Sequence, residues 1–188
     1  HKKSPKYIVI GLFRYFQLLF FLLSCGCMKS IKIILVSDNH YHPEPLIKLQ
    51  EHYKDADYFF HCGDSEMPFS LLNGYARVRG NNDYDGNYPE QLVLEIGNHR
   101  FLLVHGHKQL YGFNYEGLVS SAKKNNCDIV CFGHTHRYLA TEKEGILLLN
   151  PGSIWHNRDG SEPSYMIITL DEEKVKIQKK IYSLPLQD

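Results

Sequence analysis

Residues 31–40 read IKIILVSDNH, and the fold is decided there: an apolar run of strand length stops abruptly at Asp38 and His40. The same pattern recurs four more times. DYFF leads into Cys62-Gly63-Asp64, YARV into Arg79-Gly80-Asn81-Asn82-Asp83, FLLV into His105-Gly106-His107, and DIVC into Phe132-Gly133-His134-Thr135-His136. If each run is a strand, Asp38, His40, Asp64, Asn81, His105, His134 and His136 gather at the carboxyl edge of one sheet, where open α/β folds build their sites.

One histidine or aspartate near a strand end is ordinarily a hydrogen-bonded structural group. Seven together are different, because carboxylates and imidazoles crowded into one place are costly unless a cation compensates them. A tetrahedral zinc takes only about four ligands, whereas two ions about 3.5–4 Å apart, sharing a bridging carboxylate, use a set of this size. Imidazole and oxygen donors with no obvious thiolate favour Mn, Fe, Zn, Ni or Co over a calcium or magnesium cage.

The order of motifs, D-x-H, G-D, G-N-x-D, H-G-H and G-H-T-H, resembles the calcineurin-like metallophosphoesterase superfamily, from Ile31 to about Ser153. NYPE at Asn87–Glu90 and NPGS at Asn150–Ser153 look like its small bacterial phosphodiesterase branch, the YfcE/YsnB type. The resemblance implies a four-layer α/β/β/α sandwich of two mixed sheets flanked by helices. It also implies that Asp38, His40 and His136 hold one divalent metal, that Asn81, His105 and His134 hold a second, and that Asp64 bridges them. Manganese is the first expectation, with Ni, Fe, Zn or Co as substitutes. The implied reaction is hydrolysis of a small phosphodiester by a metal-bridging hydroxide, whose pKa two cations bring toward about 7.

One position departs from the pattern. Many superfamily members place histidine directly after the metal-binding asparagine, where it is thought to protonate the leaving oxygen; here the residue is Asn82. An amide delivers no proton, so His107, Asp83 or a metal-bound water is left to take that part, and acidic leaving groups are favoured. Asn82 and His107 are the catalytic candidates, and both join Asn81 as substrate-binding candidates. Asn150–Ser153 offers backbone N–H groups to a phosphate or forms a plain turn. Tyr111, Phe113 and Trp155 are loop aromatics that stack on a base or pack on the scaffold.

Elsewhere the chain supplies scaffold. Pro45 opens a helix with Leu46, Leu49 and Tyr53 on one face, and Tyr115, Leu118, Val119 and Ala122 mark another. A short helical stretch is expected at Ser65–Leu72, and hairpins around Gly97-Asn98, between Tyr138–Glu142 and Ile146–Leu149, and between Tyr165–Leu170 and Lys174–Tyr182. His61 is expected to pack beside the site, while Cys62, Cys127 and Cys131 act as small apolar groups and reduced thiols.

Residues 1–27 read as an extra N-terminal segment, either an extended start, an expression-derived addition or a leader, because MKSIKIILV starts the domain naturally at Met28. Residues 28–188 are then one domain. With 21 basic and 21 acidic side chains and no Lys/Arg stripe, general nucleic-acid binding is disfavoured. The expected setting is cytoplasmic, away from membranes unless residues 1–27 are retained, and the expected assembly is a homo-oligomer, a dimer or tetramer. A second function class shares the fold: a protein-binding scaffold with weak or lost catalysis.

Overall fold

The computed structural model describes residues 30–112, 114–171 and 174–186. The expected segment 1–27 and Phe113 lie outside the described residues. One five-stranded sheet runs in the order β10-β9-β1-β2-β3, from β1 (Ile31–Val36), β2 (Tyr58–His61), β3 (Tyr75–Arg77), β9 (Ser164–Leu170) and β10 (Val175–Ile181). The other runs β4-β5-β6-β8-β7, from β4 (Gln91–Ile96), β5 (His99–Val104), β6 (Ile129–Cys131), β7 (Tyr138–Lys143) and β8 (Ile146–Pro151). Both are mixed: β1-β2-β3 and β5-β6-β8 are parallel, and the remaining pairs are antiparallel.

The side-chain alternation of a strand explains the layering. In β1, Ile33 and Leu35 enter a core shared with Phe60, Phe101, Leu103, Cys131 and Met166, between the two sheets. Ile34 and Val36 point the other way, onto Leu46 and Leu49 of α1 (Glu44–His52). The second sheet repeats this, with Leu102, Val104, Val130 and Leu148 against Leu118, Val119 and Ala122 of α2 (Glu116–Lys124). Strand stretches buried on both faces are apolar without interruption, which is why Ile33–Val36 shows no alternation. Phe60 and Phe101 meet edge to face across the sheets at 5.8 Å, a contact worth about 1 kcal/mol beyond burial. The architecture is the expected α/β/β/α sandwich.

Three expectations change. The five strand ends do not share one sheet edge: β1, β2 and β3 belong to the first sheet and β5 and β6 to the second, so the site spans both edges. Ser65–Leu72 is not helical apart from a 3-10 turn at Phe69–Leu71. The Asp83 carboxylate takes the Glu66 N–H at 2.7 Å and the Ser65 hydroxyl at 2.9 Å, and Pro68 is extended, so a helix there cannot nucleate. The hairpins form as expected, with Gly97-Asn98 as a two-residue turn, but β9 of the last hairpin inserts beside β1 at the centre of its sheet. Among the described residues no helix is long and apolar enough to cross a membrane.

Candidate metal centre

The loops leaving the strands are turned sharply. Asp38, His40, Asp64, His134 and His136 all have positive φ, between 42° and 66°, a region L side chains seldom occupy and Asp and His tolerate better than most. Such strain persists only where surroundings over-determine it, and it collects at functional sites. Here the determinants are backbone bonds that zip neighbouring loops together. Asp38 N–H donates to Gly63 O at 3.1 Å, His40 N–H to Asp64 O at 3.2 Å, and Gly133 N–H to His105 O at 3.0 Å. Two further bonds tie the sheets to each other: His134 N–H donates to Asp38 Oδ2 at 3.2 Å, and His105 Nδ1 donates to Cys62 O at 2.7 Å.

This brings the sequence candidates together. Asp38, His40 and His136 form one compact set of donor atoms, and Asp38, Asp64 and His105 form another. Asn81 Oδ1 lies 3.1 Å from His105 Nε2, and the His134 ring lies 5.1 Å from that of His105. Asp38, Asp64, His105 and His136 are buried, while His40 and His134 are half-buried and Asn81 is exposed at the mouth.

The hydrogen bonds on the far side of each ring fix its tautomer. His40 Nδ1 bonds Glu66 Oε1 at 2.6 Å and His136 Nδ1 bonds His156 O at 3.0 Å, both acceptors, so both rings turn a lone pair inward at Nε2. These two nitrogens sit 3.2 Å apart, and Asp38 Oδ1, buried without a hydrogen bond, is 3.2 Å from His136 Nε2. Around His105 the same happens: Nδ1 is spent on Cys62 O, and Nε2 faces Asn81 Oδ1 at 3.1 Å and Asp64 Oδ2 at 3.4 Å. Each set is a cluster of lone pairs with nothing to share, and a cation is what such a cluster fits.

Electrostatics point the same way. Burial raises the Asp64 carboxyl, but the His105 imidazole and the Asn82 N–H outweigh it and hold it well below the usual carboxylate range. Burial lowers His105, yet Asp64 and Asp38 more than reverse this and raise it. Asp38 and Asp64 thus favour positive charge at His105, as they would favour a cation beside it. Burial and the neighbouring His105 push His107 and His134 below the ordinary histidine range, leaving neutral imidazoles near pH 7.

The remaining candidates divide. Asn82 turns toward Asp64: its N–H donates to Oδ1 and its Nδ2 to Oδ2, both at 2.8 Å, so its amide orients that carboxylate. His107 lies beside the cluster, its ring 5.4 Å from His105 and 6.2 Å from His134, with Nδ1 buried and without a hydrogen bond. Asp83 is unsuited to proton delivery, because its oxygens accept from Asp64 N, Gly80 N, Ser65 Oγ and Glu66 N at 2.7–2.9 Å. Of the two readings of Asn150–Ser153, the phosphate cradle is closed by its own scaffold. Asn150 and Pro151 end β8, Gly152 N–H goes to Asn150 Oδ1 at 2.9 Å and Ser153 N–H to Asn157 Oδ1 at 2.7 Å, so neither N–H is offered to a phosphate. Trp155 packs on the scaffold, stacked on His42 with centroids 3.3 Å apart.

Sequence reasoning missed Glu66. It sits two residues after Asp64, and only the left-handed backbone at Glu66 itself (φ 57°) swings its carboxylate onto His40.

His61 packs beside the site as expected. Nε2 bonds Asn39 Oδ1 at 2.8 Å and Nδ1 accepts from Gly63 N–H at 3.1 Å, an arrangement that needs the neutral ring, and burial pushes its pKa down to about 4. The unfolded chain, with a histidine pKa of about 6.5, therefore binds the proton first as pH falls. This contribution to stability is full above about pH 6.5 and is lost progressively toward about pH 4, by about 3 kcal/mol. Denaturant unfolding at pH 7 and pH 5 checks it: wild type should lose more stability over that interval than His61→Gln.

Comparison with known proteins agrees with this geometry. Residues 31–173 match the calcineurin-like phosphoesterase superfamily domain. The probable metallophosphoesterase YsnB of Bacillus subtilis is 33% identical over 153 residues, covering 79% of this chain and 89% of that protein. A conserved uncharacterized protein of Streptococcus pneumoniae, a predicted phosphoesterase, superposes with a TM-score of 0.76 at 32% identity, over 85% of this chain and 96% of that one. An archaeal phosphodiesterase superposes with a TM-score of 0.65 at 26% identity, over 81% of this chain and all (100%) of that one. With a match over most of its length and this donor cluster at the family's motifs, the chain belongs to the calcineurin-like phosphoesterase superfamily and is a phosphoester hydrolase.

Proposed function

We propose that this protein is a dinuclear-metal phosphodiesterase acting on small phosphodiesters. The observation that carries the reading is the pair of inward-facing lone-pair sets, each with its imidazoles locked from behind. Asp38, His40 and His136 would hold the first ion, and Asn81, His105 and His134 the second. Asp38 Oδ2 accepts the His134 N–H and both Asp64 oxygens accept from Asn82, and each of these oxygens keeps a further lone pair for a metal. Asp64, oriented by Asn82 at both oxygens, would serve the two ions together. Imidazole, carboxylate and amide donors suit manganese first, and nickel, iron, zinc or cobalt next.

Two divalent ions bound there would supply an activated water and offset the charge that develops on the phosphoryl oxygens. The chain's own residues do the positioning. Glu66, His156 O and Cys62 O aim the imidazoles, Asn82 aims Asp64, and the exposed amide of Asn81 and the imidazole of His107 border the space a phosphoryl group would enter.

The proposal takes residues 28–188 as the phosphodiesterase domain of a cytoplasmic homo-oligomer, a dimer or tetramer. Balanced charge supports small esters over nucleic acid at large, with 21 basic and 21 acidic residues.

Leaving-group dependence tests the reaction. With Asn82 bound to Asp64 and no proton donor in its place, bis(p-nitrophenyl) phosphate should turn over at least about 10²-fold faster than a simple alkyl monoester, the size of a missing general acid. A manganese-supplemented assay on both substrates checks it, and equal rates would contradict the assignment.

A further inference from the structure

Next to His134 lies a cavity of about 250 Å³, lined by Leu110, Gly112, His134, Thr135, Arg137 and Arg158. Whole small-molecule sites usually enclose roughly 300–1,000 Å³, so this volume suits one arm of a ligand whose centre sits elsewhere.

Arg158 is anchored twice to the G-H-T-H loop. Its backbone N–H donates to His136 O at 3.0 Å, and its guanidinium Nη1 donates to His134 O at 3.2 Å. A guanidinium carries five N–H donors, of which that bond uses one. Among the described residues no carboxylate pairs with Arg158, so a full charge and several donors remain at the cavity wall. Arg137 lines the same wall with a partner of its own, so Arg158 is the group with donors to spare. The cavity beside His40, about 190 Å³, has the opposite character: Tyr41, Glu66, Met67, Pro68, Tyr84 and Asp85 line it, with two carboxylates and no basic group. The mouth of the site is thus polarised, basic beside His134 and acidic beside His40.

We propose that the arginine-lined cavity is a subsite for a second phosphate group carried on one arm of the substrate. A guanidinium with donors to spare, as at Arg158, matches phosphate oxygens in the fork geometry it favours, and Arg137 adds positive charge nearby. The acidic walls beside His40 disfavour the same group there, so the two cavities also set the direction in which the substrate lies. The substrate class becomes a small phosphodiester bearing an additional phosphate. This rests on the phosphodiesterase reading above and narrows it.

Calorimetric titration of the manganese-loaded protein tests it, with propyl phosphate compared against propane-, butane- and pentane-diyl bisphosphates. The best bisphosphate should bind wild type about fivefold more tightly than propyl phosphate, the increment of a favourable exposed ion pair. Arg137→Gln and Arg158→Gln should each shrink that ratio, and the double variant should bring it to about one. Because the ratio is read within each protein, general damage to the metal centre cancels. Arg137→Gln, a change at an exposed side chain, keeps the test open if substitution of the anchored Arg158 disturbs folding. A ratio near one in wild type, or an undiminished ratio in Arg137→Gln and in the double variant, would overturn the subsite. If wild type nonetheless hydrolyses bis(p-nitrophenyl) phosphate with manganese, the subsite alone has failed. If it neither hydrolyses that ester nor binds propyl phosphate, the phosphodiesterase reading fails with it.

Discussion

Asp64→Asn is expected to lower kcat/KM for bis(p-nitrophenyl) phosphate by roughly 10³-fold or more, about 4 kcal/mol of transition-state stabilisation. The change is isosteric, so the loss comes from charge and hydrogen bonding. Asp64 presents two anionic oxygens, each accepting from Asn82, and an asparagine would turn an NH₂ toward one of those donors. The buried site would keep its imidazoles but lose the carboxylate we assign to the space between two ions. The fold should lose stability as well, because His105 and Asn82 hold the Asp64 charge well below the usual carboxylate range and its removal forfeits that pairing. Circular dichroism alongside the kinetics separates the effects. Activity within about tenfold of wild type would remove Asp64 from the bridging role.

Gly80→Ala is expected to damage fold and site together. A Cβ at Gly80 would be driven into the Asp64 backbone nitrogen and Oδ1, and backbone cannot swing aside as a flexible side chain can. The Gly80 N–H also donates to Asp83 Oδ2 at 2.7 Å, within the carboxylate hub that holds the loop. The cost should reach about 3 kcal/mol or more in stability, as for overpacking combined with a broken buried network. Whatever fraction folds should lose at least about 10²-fold in turnover, since relief of the clash displaces Asp64. Thermal unfolding with and without manganese measures the first effect, and rate per folded molecule the second. A near-neutral substitution would mean that the loop is looser than drawn. Gly133 is constrained by side chains instead, with Ser37 Oγ and Asp38 Oδ2 occupying the place where a Cβ would sit.

How much of this was legible in the sequence depended on where the information lies. IKIILV announces a strand buried on both faces, and SDNH announces what its end presents, because both are local properties of composition and order. Which sheet each strand joins is not local. β1 takes β2 on one side and β9, more than a hundred residues away, on the other, and nothing within IKIILV distinguishes the two partners. The split of the strand ends between two sheets was therefore out of reach of the motifs alone. Ser65–Leu72 failed as a helix because Asp83, distant in sequence, captures the polar groups that would have nucleated it. Asn150–Ser153 looked equally like cradle or turn until Asn150 and Asn157 were seen to take its N–H groups. Glu66 carried no spacing signal at all, since its role depends on a backbone angle. Asn82 was visible as a departure, but its attachment to Asp64 needed coordinates. Donor identities, in short, are written locally, whereas the hydrogen bonds that aim them are tertiary.

The lone-pair clusters at Asp38, His40, His136 and at Asp64, His105 are each built to hold a divalent ion if the proposed function is right. Equilibrium dialysis of chelator-stripped protein against manganese, read by elemental analysis, addresses it most directly. About two ions should bind per chain at saturation, with thermal stability rising as the sites fill, by about 2.7 kcal/mol per site at a hundredfold excess over the dissociation constant. A chain that binds no ion and gains no stability from manganese, nickel, iron, zinc or cobalt would contradict it and favour a protein-binding scaffold of the same fold.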